Sequence, residues 1–385
     1  MLMIPAPHGE TMSTIAAPGS LSTSRRVTMT GQQRVSAMME RRDQDRVPRH
    51  ESFWSDTIER WKTEGLNGDA NTVLDMLQTD FHGLNWLWPQ CFPGSDKTIS
   101  EDAETRVVRD SNGKTLRYWK HRMGTPEHLG FDCDSRDKWF NQYKPAMLST
   151  GLQNDPAAVA REYRKGRETG RWCHLTTVEP FEETRALMGD EISLMALAED
   201  PEWVRDVAVT FTNQVIWNLD AIMSTGIQPD GLWVYGDMAF NHATMCSPAM
   251  YKELIWPEHK RLADWAHAHR MKFIYHTDGN VNGVMDLYVE AGFDCFQPIE
   301  VKAGMDIRNL VPRYGDKLSF FGNVDVMVMA TNDPRKIEEE VRAKIEAGKS
   351  RKCYAYHSDH SVPPSVSWQT YQFIMGLVEK YGWYD

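Results

Sequence analysis

The sequence predicts an α/β protein folded as a (β/α)8 TIM barrel, and three observations predict it. From about residue 150 onward, short apolar runs alternate with helical stretches, the pattern of a parallel sheet. Six strand–helix units are legible there, and extended pieces at 47–53 and near 80–86 bring the number to eight. No GxGxxG follows the first strand, so a doubly wound dinucleotide-binding sheet has no support.

Taken in order, residues 1–26 are rich in Ser, Thr, Pro and Ala without periodicity and read as a disordered leader. Residues 27–385 read as one barrel domain. Helical spacing covers 32–42, 56–64 and 72–77, and Pro48 turns the stretch between the first two into extended chain. Two β-rich runs within 104–123 flank Asn112-Gly113, a hairpin signal, and form an insertion ahead of the repeat. Asp155 caps a helix that Pro156 starts. Strands follow at 173–178, 231–235, 272–275, 293–297, 318–322 and 351–357. Between them lie helices, including 201–225 and a long one at 247–269 that Pro257 should bend. A helix over 365–381 closes the chain.

Composition narrows the function. The hydrophobic share of 41% and charged share of 25% are those of a soluble globular protein. A net charge of −11 argues against nucleic acid or an anionic membrane as partner. No apolar run reaches the ~18 residues of a membrane span. The six cysteines are scattered without a CxxC, which fits reduced thiols. The N-terminus lacks a charged start followed by an apolar core, so the expected location is cytoplasmic. The apolar helical faces leave homodimerisation open.

Polar residues gather at the strand exits: Glu179, Asp237, His276 with Asp278, Gln297 with Glu300, Asn323 with Asp325, and His357 with Asp359 and His360. In a parallel barrel these converge on one mouth. His276 and Asp278 stand two apart on an extended chain and point the same way. Imidazole with carboxylate suits zinc or another divalent ion, with Asp359, His357 or Glu300 as a third ligand. The bland alternative is a turn at Asp278-Gly279 beside a core histidine. Asp237 and Glu300 are the candidate catalytic carboxylates, placed to position substrate or move a proton. Glu179, His242, Asn323 and His357 are candidate substrate contacts, though Glu179-Pro180 reads equally as a helix start. Trp54, Trp86, Trp88 and Trp233 suit either a pocket for an aromatic or cationic methyl-bearing ligand or the core, and the core is expected.

The His276-Thr-Asp-Gly-Asn280 turn, the Ser247-Pro-Ala-Met-Tyr251 helix start, Phe321-Gly-Asn-Val-Asp325, Ser358-Asp-His-Ser-Val-Pro-Pro364 and Asp45-Arg-Val-Pro48 together resemble the uroporphyrinogen decarboxylase superfamily, over about residues 30–382. The resemblance implies a (β/α)8 barrel. The Arg-Gln-Ala-Gly-Arg segment that grips porphyrinogen carboxylates is replaced here by Arg49-His-Glu-Ser-Phe53. That points to the superfamily's other branch, the corrinoid-dependent methyltransferases, some of which hold zinc through His-x-Cys and a later Cys. By that resemblance His276, Asp278 and Asp359 hold the metal, with carboxylates where the branch has thiolates. Such a harder site suits oxygen or nitrogen ligands. The resemblance thus implies methyl transfer from an O- or N-methylated small molecule to a corrinoid supplied by a partner protein. The rival expectations are a decarboxylase or lyase of the same fold, and a non-catalytic binding protein.

Overall fold

The computed structural model describes residues 28–121 and 124–384; the expected leader lies outside the described residues. Eleven strands are β1 (Phe81–Gly83), β2 (Lys97–Glu101), β3 (Thr105–Arg109), β4 (Lys114–Trp119), β5 (Glu127–Phe131), β6 (Trp172–Val178), β7 (Gly231–Tyr235), β8 (Lys272–Thr277), β9 (Cys295–Pro298), β10 (Ser319–Phe321) and β11 (Tyr354–Ala355). Seven of them, in the order β1-β6-β7-β8-β9-β10-β11, make one curled parallel sheet. Helices join successive strands of this sheet from β6 onward. Among the described residues, no helix is long and apolar enough to cross a membrane.

The expected strand at 47–53 forms no strand ladder. Pro48 has no N–H to give one, and only scattered bonds tie the segment down. Tyr356 N donates to Pro48 O at 2.8 Å, His50 N to Tyr356 O at 3.1 Å, and Asp80 N to Arg49 O at 2.9 Å. The segment therefore touches both edges of the sheet. The last strand, Tyr354–Ala355, is shorter than the expected 351–357.

Two apolar layers follow from the strand alternation. The outer faces of the strands pack under the helices in one large core. The inner face carries Phe81, Trp172, Ile274, Cys295, Phe321, Ala355 and, partly buried, Trp233; Val35, Met38 and Met39 of helix Gly31–Met39 close it from below. Gly231 makes room for this filling, because a Cβ there would lie 2.0 Å from the Trp172 ring. The closing helix is anchored by charge. Asp80 accepts from Arg34, from Arg46 Nη1 at 2.7 Å and from Arg49 N at 2.9 Å, all buried.

Two local differences from expectation have plain causes. The insertion is a four-stranded antiparallel sheet, β2-β3-β4-β5, rather than one hairpin. Its outer strand β2 is exposed throughout and so shows no apolar alternation to read. The long helix breaks just before Pro257: a π-helical turn, Tyr251–Ile255, precedes helix Trp256–Ala268. The ring of Pro257 and its missing N–H disfavour a regular turn at that point. All six cysteines are free and buried.

Candidate active site at the strand exits

Parallel register sets the site. Tyr235 on β7 pairs with His276 on β8, and His276 pairs with Gln297 on β9. One layer below, Trp233 pairs with Ile274 and Ile274 with Cys295. Side chains two residues apart share a face, so the apolar layer of Trp233, Ile274 and Cys295 carries a polar layer of Tyr235, His276 and Gln297 above it. Over this floor lies a cavity of about 530 Å³. Its walls include Trp54, Trp86 and Trp233, the imidazoles of His50, His174, His276, His357 and His360, and the carboxylates of Asp237 and Asp278.

Asp237, His276 and Asp278 each offer a ligand atom within 4.8 Å of the others. His276 Nδ1 bonds Gln297 Oε1. The amide oxygen accepts, so Nδ1 carries the proton and Nε2 is left with its lone pair. That Nε2 lies 3.9 Å from Asp237 Oδ1. Asp237 is fixed by Asp278 N, which donates to Oδ1 at 3.0 Å, and by the Tyr235 hydroxyl, which donates to Oδ2 at 3.2 Å. Asp278 faces His360 Nε2 at 3.6 Å through Oδ2, while its buried Oδ1 has no hydrogen-bond partner. Burial pushes the Asp278 carboxyl up from its ordinary value; the Asp237 charge adds to this, and His276 and His360 oppose it. A buried oxygen left bare costs on the order of 1–3 kcal/mol. One imidazole, two carboxylates and one bare oxygen fit a divalent cation.

The turn after β8 gives the cluster its shape. Gly279 has φ +85°, and a Cβ there would lie 2.5 Å from the Ala239 carbonyl carbon. Its N–H donates to Glu300 Oε2 at 2.7 Å, and Glu300 is held by Lys302 at 2.8 Å. Glu300 thus braces the turn and faces a shallower depression shared with His242, an exposed loop residue.

The other expected residues are placed differently. Asp359 lies outside the cluster of three. Its two oxygens accept Val326 N and Val301 N, each at 2.9 Å, and burial pushes its carboxyl up to about 6. Glu179 is fully buried and off the cavity wall. It caps helix Pro180–Met188 and bonds His259 Nε2 at 2.7 Å. Asn323, at φ +74°, spends its amide on Ile307 N, Lys344, Ile299 O and Met305 O. His357 does line the cavity; its Nε2 meets the Ser52 hydroxyl at 3.2 Å, and burial holds it down at about 4.

Three tryptophans expected in the core, Trp54, Trp86 and Trp233, stand on the cavity wall instead. His50 and His174 gave no sign at a strand exit. The signal for His174 was the alternation Trp172, His174, Thr176 along β6, which puts all three on the inner face.

The uroporphyrinogen decarboxylase (URO-D) family profile matches residues 180–381, more than half of the chain. The chain belongs to this family. Every member of the Asp237–His276–Asp278 cluster lies in the matched URO-D region, as do Gln297 and His357. Among solved structures the fold is similar to a methyltransferase from Methanosarcina mazei, with TM-score 0.65 and 14% identity over 92% of this chain and 99% of that one. No curated protein matches by sequence.

Proposed function

We propose that this URO-D family member is a metal-dependent methyltransferase that passes a methyl group from an O- or N-methylated small molecule to a corrinoid carried by a partner protein. The observation that carries it is the Asp237–His276–Asp278 cluster at the cavity mouth, with Asp278 Oδ1 bare. The likeness to a methyltransferase fold agrees with it. The fold reading that goes with it is a closed eight-stranded barrel, with residues 48–50 as the eighth strand.

In this reading His276 Nε2 and Asp278 hold zinc or another divalent ion, with Asp237 where Asp359 was expected. When bound, the ion supplies Lewis acidity toward the leaving oxygen or nitrogen. The carbon–heteroatom bond breaks with its electron pair left on the heteroatom, which takes up a proton. A reduced corrinoid presented by the partner would supply the electron pair that receives the methyl group. Gln297 keeps the His276 lone pair aimed at the ion, and Tyr235 keeps Asp237 in place. The indoles of Trp54, Trp86 and Trp233 on the walls shield the reacting carbon from water. The cavity is too small to enclose a corrin ring with its side arms, so the corrinoid meets the mouth from outside. A carboxylated substrate of a decarboxylase would want arginine or lysine, and among the described residues neither lines this cavity.

The test is metal content by elemental mass spectrometry after zinc loading, followed by methylation of reduced cobalamin read by its absorbance. About one zinc per chain, lost in His276→Ala, with methylcobalamin formed from a methylated donor, is the expected result. A parent protein that takes up no zinc ends the metal reading. Zinc without methyl transfer from any ether or amine donor ends the methyltransferase reading.

A further inference from the structure

We infer that the methyl donor is an O-methylated saccharide, held by a side pocket that the inserted sheet builds beside the cavity. This deepens the proposed methyl transfer and rests on it for the reaction, but its binding chemistry stands apart. The side pocket has a volume of about 300 Å³ and lies where the insertion meets helix Pro180–Met188. Trp86 lines both spaces. Its ring centroid is 6.5 Å from that of Trp88 in the side pocket and 5.9 Å from that of Tyr235 in the cavity. Tyr235 in turn lies 4.9 Å from the His276 ring. A chain of aromatic rings, tilted 64°, 53° and 33° from one to the next, therefore runs from the side pocket to the cluster, and Trp86 is 52% exposed within it.

The polar groups beside these rings choose among ligands. The Lys114 side chain is only 13% exposed, yet among the described residues its ammonium has no hydrogen bond: Asp110 Oδ2 is 3.9 Å away and the Trp88 ring centroid 5.6 Å. Asp110 Oδ1 is taken by Asn112 N and Lys114 N, which leaves Oδ2 free to accept. The Gln90 side chain offers both a donor and an acceptor at the same wall. An ammonium with no close acceptor has donors to give a ligand, and the carboxylate oxygen beside it can accept from one. An anion would meet the Asp110 charge. A plain aromatic ether would leave both groups bare. A pyranose ring satisfies both, because each hydroxyl donates and accepts while its C–H face lies on an indole. An alkyl ether also leaves as a strongly basic alkoxide, which is the leaving group most in need of the Lewis acid proposed for the cluster.

The experiment is calorimetric titration of the full chain with 3-O-methylglucose and methyl glucosides, beside anisole, with neither zinc nor corrinoid added. Saturable binding of a methylated saccharide is expected, weakened about tenfold or more in Lys114→Met, as for loss of one charge-assisted bond. Trp86→Leu should weaken it similarly, with circular dichroism checking that both variants fold. Anisole bound in preference to every saccharide, or saccharide affinity unchanged in both folded variants, overturns the inference. Saccharide binding without methyl transfer would instead end the reaction reading and leave the pocket assignment standing.

Discussion

Gln297 orients His276: its side-chain oxygen accepts the hydrogen bond from Nδ1–H, and the opposite nitrogen is left facing Asp237. The two residues sit opposite each other on β8 and β9, so the sheet itself fixes their contact.

Removing that orientation should weaken metal binding without unfolding the site. Partners behind a ligating histidine are worth about 10–100-fold in affinity. Gln297→Leu is expected to lose zinc affinity by about that factor in competition with a chromophoric chelator. Gln297→Glu keeps an acceptor for Nδ1 and should bind zinc about as well as the parent. Equal affinity in parent and Gln297→Leu would mean that His276 is not a ligand.

Glu51 gives a pH prediction of definite sign. It is fully buried among Ser358 Oγ at 2.5 Å, Tyr356 OH at 3.1 Å and Ser52 N at 3.1 Å, with His357 Nδ1 at 3.5 Å. Burial, against those hydrogen bonds, pushes its carboxyl up to about 7 from 4.5. A carboxyl raised on folding contributes stability below its unfolded value, and that contribution is lost as pH rises through its folded value. The loss amounts to about 3 kcal/mol once both states are ionised. The melting temperature of Glu51→Gln relative to the parent should therefore climb as pH rises from 5 to 8. The buried imidazoles of His174 and His357, both held down at about 4, act in the opposite direction as pH falls below about 6.5. His174 is present in both proteins and cancels in the difference, while His357, 3.5 Å from Glu51, acts mainly below about pH 6.5, so the rise from pH 6.5 to 8 reports Glu51. A flat difference across that range would show that Glu51 does not ionise within it.

Much of the sheet was legible because β6 to β10 are short apolar runs buried on both faces and bounded by helices. The pair His276 and Asp278 was legible because a two-residue spacing fixes their common direction. Asp237 reads in sequence as a substrate-contacting or metal-proximal acid; its approach to His276 depends on the β7–β8 register, which no local pattern encodes. Asp359 reads like a ligand in sequence, yet its oxygens are spent on two backbone amides from distant turns. Trp54 and Trp86 look like core residues by type alone. Their place on the cavity wall comes from segments that lie outside the repeat and border the cavity.

Asp80 tests what holds the floor beneath that site. Its carboxylate is 3% exposed and is shared by Arg34 from the closing helix and by Arg46 and Arg49 N from the segment that touches both sheet edges. The Asp80 main chain is also in use: its N donates to Arg49 O, and Trp172 N donates to its O at 2.8 Å. The Asp80 carboxylate thus joins the closing helix to the 46–50 segment, and its main chain adds the start of β6. Replacing it by asparagine keeps the volume but leaves two buried guanidinium groups without a full counter-charge. Removing one partner of a buried ion pair costs about 3–5 kcal/mol. Arg34 retains Asp45 at 2.6 Å, which should hold the cost for Asp80→Asn near the lower figure. Denaturant unfolding should show a loss of about 3 kcal/mol. Zinc uptake by the folded fraction should be unchanged, because Asp80 lies at the opposite end of the sheet from His276. A loss below about 1 kcal/mol, the usual worth of an exposed pair, would mean that this network does not hold the helix in place. Lost zinc binding in a protein that still folds would mean that the floor and the strand exits are coupled through the inner core.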